Sequence, residues 1–213
     1  MTTPRFVLHY APRSRSFRIL WLLEEARVPY ELVRYDLQKG THKSPAYLAV
    51  NPDGKVPALV DRGPRGDWSA VITESAAICA YIADTLPEAR LAPAVGTPER
   101  AAYATWMAYG AAALEPSFAD LMFPRKAEPP PSAIGWPSFD ATIARISRAV
   151  EKGPWLLGDQ FSSADIMIGA MLQWLNSWGK LPAHEPVKRY LAALVERDAM
   201  KRAQAKEAEL AAG

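Results

Sequence analysis

RFVLHYAPRSRSFRILWLLEEARVPYELVRYDL, residues 5–37, decides the fold class. RFVLHY is a short strand-like run and APRS is a turn. RSFRILWLLEEAR then places Phe17, Leu20, Trp21 and Leu23 at helical spacing, and YELVRYDL returns to alternation. Strand, helix, strand in this order implies a right-handed crossover and a parallel pair. Further along come a short helical piece around PAYLAV, a hairpin of VPALVD and WSAVI joined by the turn-rich RGPRGD, and a helix over TESAAICAYIADTL. That order within about 85 residues is the order of a thioredoxin-like domain.

The strand pattern then stops. From TPERAAYATWMAYGAAALEPSFADLMF onward the chain reads as helix, broken by PRKAEPPPSAIGWP and KGPWLLGDQF. The expected fold is therefore α/β plus all-α: a thioredoxin-like domain over 1–86, a linker in PEARLAPAVG over 87–96, and an all-helical domain over 97–213. No internal repeat is evident.

With 213 residues, 49% hydrophobic and 23% charged, the chain has an ordinary globular composition. A net charge of +2 argues against nucleic acid or an anionic membrane as partner and leaves small molecules or proteins. IMIGAMLQWL falls well short of the roughly 20 apolar residues that a spanning helix needs, and MTTPRFVLHY has no leader-like pattern, so a cytoplasmic location is expected. The single cysteine, Cys79, has no internal disulfide partner. His9, His42 and His184 lack metal-ligand spacing, so a zinc enzyme is not expected.

NPDGKVPALV, residues 51–60, carries a proline near the start of a strand-like run, although proline lacks the N–H that a ladder needs. Alone, Pro57 reads as protection of a sheet edge. Taken with YAPRSRSFRILWLLEE, TESAAICAYI and GDQFSSADIMIG, in this order and at this spacing, it makes the chain resemble the cytosolic glutathione transferases over essentially its whole length. The resemblance implies a cis Pro57 that turns the N–H and C=O of Val56 outward, where the cysteinyl unit of glutathione pairs as a short added strand.

Glu74 and Ser75 begin a helix whose first N–H groups attract anions. Ser75 suits the γ-glutamyl carboxylate and Glu74 its ammonium, although such a pair at a helix start is commonplace without any ligand. Similarity to the theta-like branch implies that His42 and Lys55 contact the glycine carboxylate, with Lys39 and Lys43 as solvated bystanders. Glutathione enters as co-substrate, and no other cofactor is implied.

The thiol, with a reference pKa of about 8.5, must be ionised to attack, and each unit of depression requires about 1.36 kcal/mol of preferential thiolate stabilisation. Ser14, placed at the N-cap of the first helix and four residues before Arg18 as in theta-like relatives, is the first candidate for that task. Tyr10, at the strand end, is the second. The bacterial beta-like pattern Y-x-P-x-x-C-S has its cysteine where this chain has Arg15, so mixed-disulfide chemistry loses its nucleophile. Cys79 reads as a buried small hydrophobe.

In the helical domain Met107 and Tyr109 are the candidates for contact with a hydrophobic electrophile, although most of such a stripe is ordinarily core. Glu115 and Pro116 replace a histidine and a lysine of beta-like relatives. Ser162 and Asp165 have capping-box spacing, with Phe161 as a staple, and read as folding rather than chemistry. The expected protein is a homodimeric glutathione transferase; the alternatives are a non-enzymatic interaction scaffold of the same fold and a glutathione-dependent isomerase.

Overall fold

The structure is a computed structural model that describes residues 3–127 and 129–212. The first compact unit runs up to Ala89 and takes in the chain again from Arg197; the second runs from Arg90 to Glu196. The division departs from the expected 97–213 domain at its far end, because the last helix belongs with the first unit.

The first unit holds strands β1 (Phe6–Tyr10), β2 (Tyr30–Arg34), β3 (Ala58–Asp61) and β4 (Ala70–Thr73), with helices α1 (Phe17–Ala26), α2 (Pro45–Leu48) and α3 (Ser75–Thr85). The sheet order is β2-β1-β3-β4. β1 and β2 are parallel, and β3 is antiparallel to both β1 and β4. These are the parallel pair and the hairpin expected from the sequence. Leu8, Ile19, Leu20, Leu59, Ile78 and Ile82 are fully buried in its core.

Register gives the sheet two unlike ends. At one, Phe6 pairs with Asp61 and Asp61 with Ala70. There the buried Asp61 carboxylate accepts from Arg5 Nε and a second guanidinium nitrogen, both at 2.7 Å, from the Tyr81 hydroxyl at 2.7 Å and from the Gly63 N–H at 2.8 Å. Burial pushes the Asp61 pKa up, but those donors together hold it below the ordinary carboxylate value. At the other end His9 pairs with Ala58, Ala58 with Thr73, and Tyr10 with Arg34. This second end carries the candidate site.

Every residue of α1 from Phe17 to Leu23 is buried. A helix buried on every side over two turns needs partners on every side. The sheet and α3 supply one side, and α9 (Asp198–Ala212) supplies another. 

The second unit is helical: α4 (Pro98–Tyr109), a π-helical turn (Gly110–Leu114), α5 (Glu115–Met122), α6 (Phe139–Ala149), α7 (Ser163–Ser177) and α8 (Glu185–Val195). α7 is buried from Ser163 through Leu172. Asp165, fully buried, accepts from the Ser162 N–H and the Leu156 N–H, each at 2.9 Å, and from the Ser162 and Tyr190 hydroxyls, each at 3.2 Å. The expected capping box is present. Phe161 stands edge-on to Trp155 at 5.1 Å between ring centres. No helix among the described residues is long and apolar enough to cross a membrane.

Candidate functional site

The register brings the sequence candidates of the first unit together. The loop after β1 (Ala11–Ser16), the residues before β3 (Lys55–Pro57) and the start of α3 (Glu74–Ser75) all leave the sheet at the end defined by His9, Ala58 and Thr73. The chain leaves β2 at the same end, with the Tyr35 N–H donating to the Tyr10 carbonyl at 2.7 Å, and continues to His42.

The Val56–Pro57 bond is cis. The β1–β3 ladder begins at Ala58, so Val56 lies outside it. Its approach is held by the Lys55 carbonyl, which accepts from the Tyr47 hydroxyl and, at 2.7 Å, from Asn51 Nδ2. Tyr47 in turn packs against Tyr35 and His9, and the His9 ring meets the Tyr35 hydroxyl at 2.9 Å. Burial lowers the His9 pKa, which keeps the ring neutral at pH 7.

Glu74 stands at φ 65° and ψ 123° immediately before α3. For a non-glycine residue this backbone costs about 1–3 kcal/mol and persists only where the surroundings impose it. Its side chain is exposed and Ser75 is buried. The carboxylate is thus free to meet a ligand, while Ser75 sits among the first N–H groups of the helix.

His42 lies in the short 3-10 turn Thr41–Lys43, half-buried, with Nδ1 buried and without a hydrogen-bond partner among the described residues. Lys55 is exposed. Lys43 Nζ donates to the Asp53 carbonyl at 2.8 Å, and Lys39 pairs loosely with Asp36 at 3.6 Å.

The loop after β1 requires a correction. The N-cap of α1 is Ser16, not Ser14, and its side chain makes no capping bond. The helix is entered through a tight turn in which the Phe17 N–H donates to the Ser14 carbonyl at 3.1 Å, and this extra turn separates Ser14 from the helix proper. Ser14 is half-buried; its hydroxyl lies 2.7 Å from the Ala11 carbonyl and 2.9 Å from Ser16 Oγ, and accepts the Ser16 N–H at 3.1 Å. Its one proton can go to either of two internal acceptors by turning about the Cβ–Oγ bond.

Tyr10 is fully buried and its hydroxyl has no hydrogen-bond partner among the described residues. Arg15 is exposed. Cys79 is buried, and burial pushes its thiol up to about 12, against the opposing pull of Arg18. A thiol so held is inert near neutrality.

In the second unit Met107 and Tyr109 are both nine-tenths or more buried. The Met107 sulfur lies 3.9 Å from Ser163 Oγ, and the Tyr109 ring packs on Trp106 and beneath the Arg145 guanidinium, 4.3 Å from its centre. These contacts are internal to the helical unit. Among the described residues no group of three or more His, Cys, Asp or Glu is arranged to hold a metal ion.

Two participants escaped the sequence reading. Ser16 was signalled, because the residue immediately before the first apolar helical position is the usual cap. Glu207, whose Oε1 accepts the Arg13 N–H at 2.6 Å across 194 residues, left no local signal.

A thioredoxin-like sheet with a cis-proline turn and an open helix start at one end, followed by a helical unit, defines the class. Residues 6–84 match the family model of the glutathione S-transferase N-terminal domain, and residues 88–193 that of the glutathione S-transferase C-terminal domain. The chain belongs to the glutathione S-transferase family of enzymes. It is 31% identical over 176 residues to the disulfide-bond oxidoreductase YfcG of Escherichia coli K12, covering 80% of this chain and 79% of that protein. The solved ternary complex of BphK, a bacterial glutathione transferase, superposes with a TM-score of 0.79 at 32% identity, covering 95% and 99% of the two chains. A glutathione transferase from Burkholderia graminis, with two glutathione molecules bound per subunit, gives 0.77 at 28% identity over 94% and 87%.

Proposed function

We propose that this protein binds glutathione at the open end of the sheet and transfers its thiolate to a hydrophobic electrophile. The observation that carries the reading is the register His9–Ala58–Thr73, because it gathers the Ser14 loop, Val56 and Glu74–Ser75 at one end of one sheet. Val56 would pair with the cysteinyl unit and Glu74 and Ser75 with the γ-glutamyl end, while His42 and Lys55 would meet the glycine carboxylate. Binding both charged ends fixes the sulfur, so that proximity supplies much of the rate.

Ser14 is the proposed thiolate donor. Its O–H leaves the Ala11 carbonyl for the sulfur anion, the thiol proton passes to solvent, and the sulfur lone pair forms the new bond to the electrophilic carbon. As that bond forms, the bond to a leaving group breaks and its electron pair departs with that group, or, on a polarised double bond, the π pair moves to the far atom and takes a proton from solvent. A hydrogen bond to a charged group is worth about 1.5–3 kcal/mol, enough to lower the thiol pKa by about one to two units. The active unit is proposed to be a cytoplasmic homodimer.

A second reading, disulfide reduction, is supported by the name of the YfcG relative. With one cysteine in the chain, buried, it must run on glutathione thiols alone: one thiolate attacks the disulfide, and a second glutathione resolves the mixed disulfide.

The test is retention on immobilised glutathione, followed by titration of the bound thiol through thiolate absorbance and by turnover of electrophile and disulfide substrates. Ser14→Ala is expected to raise the bound thiol pKa by about one unit or more and to lower conjugation about 10- to 100-fold. Absence of retention overturns the proposal; retention without turnover of any substrate favours a binding scaffold.

A further inference from the structure

We propose that Glu207 is a positioning residue for the loop that carries Ser14, so that the last helix sets how well the bound thiol is ionised. This role rests on the proposed use of Ser14 and adds to it a residue from the far end of the chain.

The loop needs such a support. Arg13, next to Ser14, has φ 56°, a left-handed backbone that a non-glycine residue holds only under constraint. Its N–H donates to Glu207 Oε1 at 2.6 Å, outside the set of hydrogen bonds that links Ser14, Ser16 and Ala11. A charge-assisted bond of this kind is among the stronger single contacts a main-chain N–H makes. Arg13 and Ser14 are consecutive, and the Ser14 carbonyl already receives the Phe17 N–H, so a shift of Arg13 is passed directly to the serine.

Glu207 is itself well fixed. Two arginines of the same C-terminal segment grip α1: Arg197 binds the Glu25 carboxylate through two nitrogens, at 2.6 and 2.7 Å, and Arg202 binds Glu24 Oε2 at 2.7 Å and the Glu24 carbonyl at 2.8 Å. The helix that presents Glu207 is therefore tied to the helix that follows the loop. Its other oxygen, Oε2, is buried and has no hydrogen-bond partner among the described residues. Burial raises the Glu207 pKa, opposed by the Arg13 N–H. Holding an unpaired carboxylate oxygen out of water is unfavourable. Among the described residues, the bond to Arg13 is the polar contact that accounts for the placement.

The test compares Glu207→Ala and Glu207→Gln in the full chain, because the carboxamide retains an acceptor without the charge. Three quantities are followed: amide hydrogen exchange of the peptide covering Ala11–Ser16, the pKa of bound glutathione thiol, and kcat with KM for glutathione. Loss of the acceptor is expected to speed exchange at Arg13 about tenfold and to lower kcat about tenfold, with KM within about twofold, because the tripeptide ends are held elsewhere. The Gln variant is expected to stay within about threefold of wild type in every readout. Unchanged exchange or unchanged kcat in the Ala variant overturns the role, and so does a Gln variant as impaired as Ala. A wild-type protein that binds no glutathione overturns the underlying reading, an outcome told apart from these because it precedes any substitution.

Discussion

Ser14 and Tyr10 show how two neighbouring hydroxyls differ in chemistry through burial alone. Ser14 is half-buried with an exchangeable proton, whereas Tyr10 is closed off from solvent with its hydroxyl unpartnered. Burying a hydroxyl without a partner costs about 1–3 kcal/mol. Tyr10→Phe is accordingly expected to leave the bound thiol pKa unchanged and to leave stability equal or raise it by up to about 1 kcal/mol, read from urea unfolding midpoints. A rise in thiol pKa in that variant would transfer the activating role from Ser14 to Tyr10. The meeting of Val56, Pro57, Glu74 and Ser75 at one end of the sheet was legible through the resemblance that their motifs carry together, whereas Pro57 alone reads as edge protection and nothing local announces the positive φ of Glu74. What misled was the cap, since two serines two residues apart both fit a helix start and only the position of Phe17 distinguishes them.

At the scale of elements, the strands and hairpin followed from alternation and turn residues, but the run from Pro98 to Met122 did not reveal its π-helical turn. A π turn inserts a residue without changing composition. Its trace in the sequence is Pro116, which lacks an N–H and crowds the carbonyl of Ala112 within that turn. The start of α7 was fully legible, because a capping box is a four-residue pattern. Asp165→Ala removes the cap and strands the buried N–H groups of Ser162 and Leu156, and is expected to cost about 3 kcal/mol of stability while activity per folded molecule stays within about twofold. Burial, the largest influence, pushes the Asp165 carboxyl up to about 6 despite its donors. Its folded pKa then exceeds the unfolded value of about 3.9, so the native state binds the extra proton and stability falls as pH rises from about 4 to about 6. Asp165→Asn should flatten that part of a stability–pH profile; a slope that survives the substitution assigns it to another group.

For the whole molecule, what the sequence hid was the return of the chain. α1 is buried from Phe17 to Leu23, and one of its partners is α9, which enters after the entire helical unit. No local pattern records a pairing across more than 170 residues, such as Glu25 with Arg197. The two ion pairs that make this connection should behave differently. Glu25 is 8% exposed in its side chain and also receives the Trp21 indole N–H at 2.9 Å, so Arg197→Ala leaves a poorly hydrated carboxylate and is expected to cost about 1–3 kcal/mol. Arg202 is 44% exposed, and Arg202→Ala is expected to cost no more than about 1 kcal/mol. Raising the salt in urea unfolding to about 1 M, where the screening length falls to about 3 Å, should abolish most of the Arg202 effect and preserve most of the Arg197 effect. Equal losses that vanish together in salt would mean that α9 is held by surface charge, whereas the unequal, salt-resistant pattern follows if it is anchored at Glu25 and packed through Met200 and Ala203.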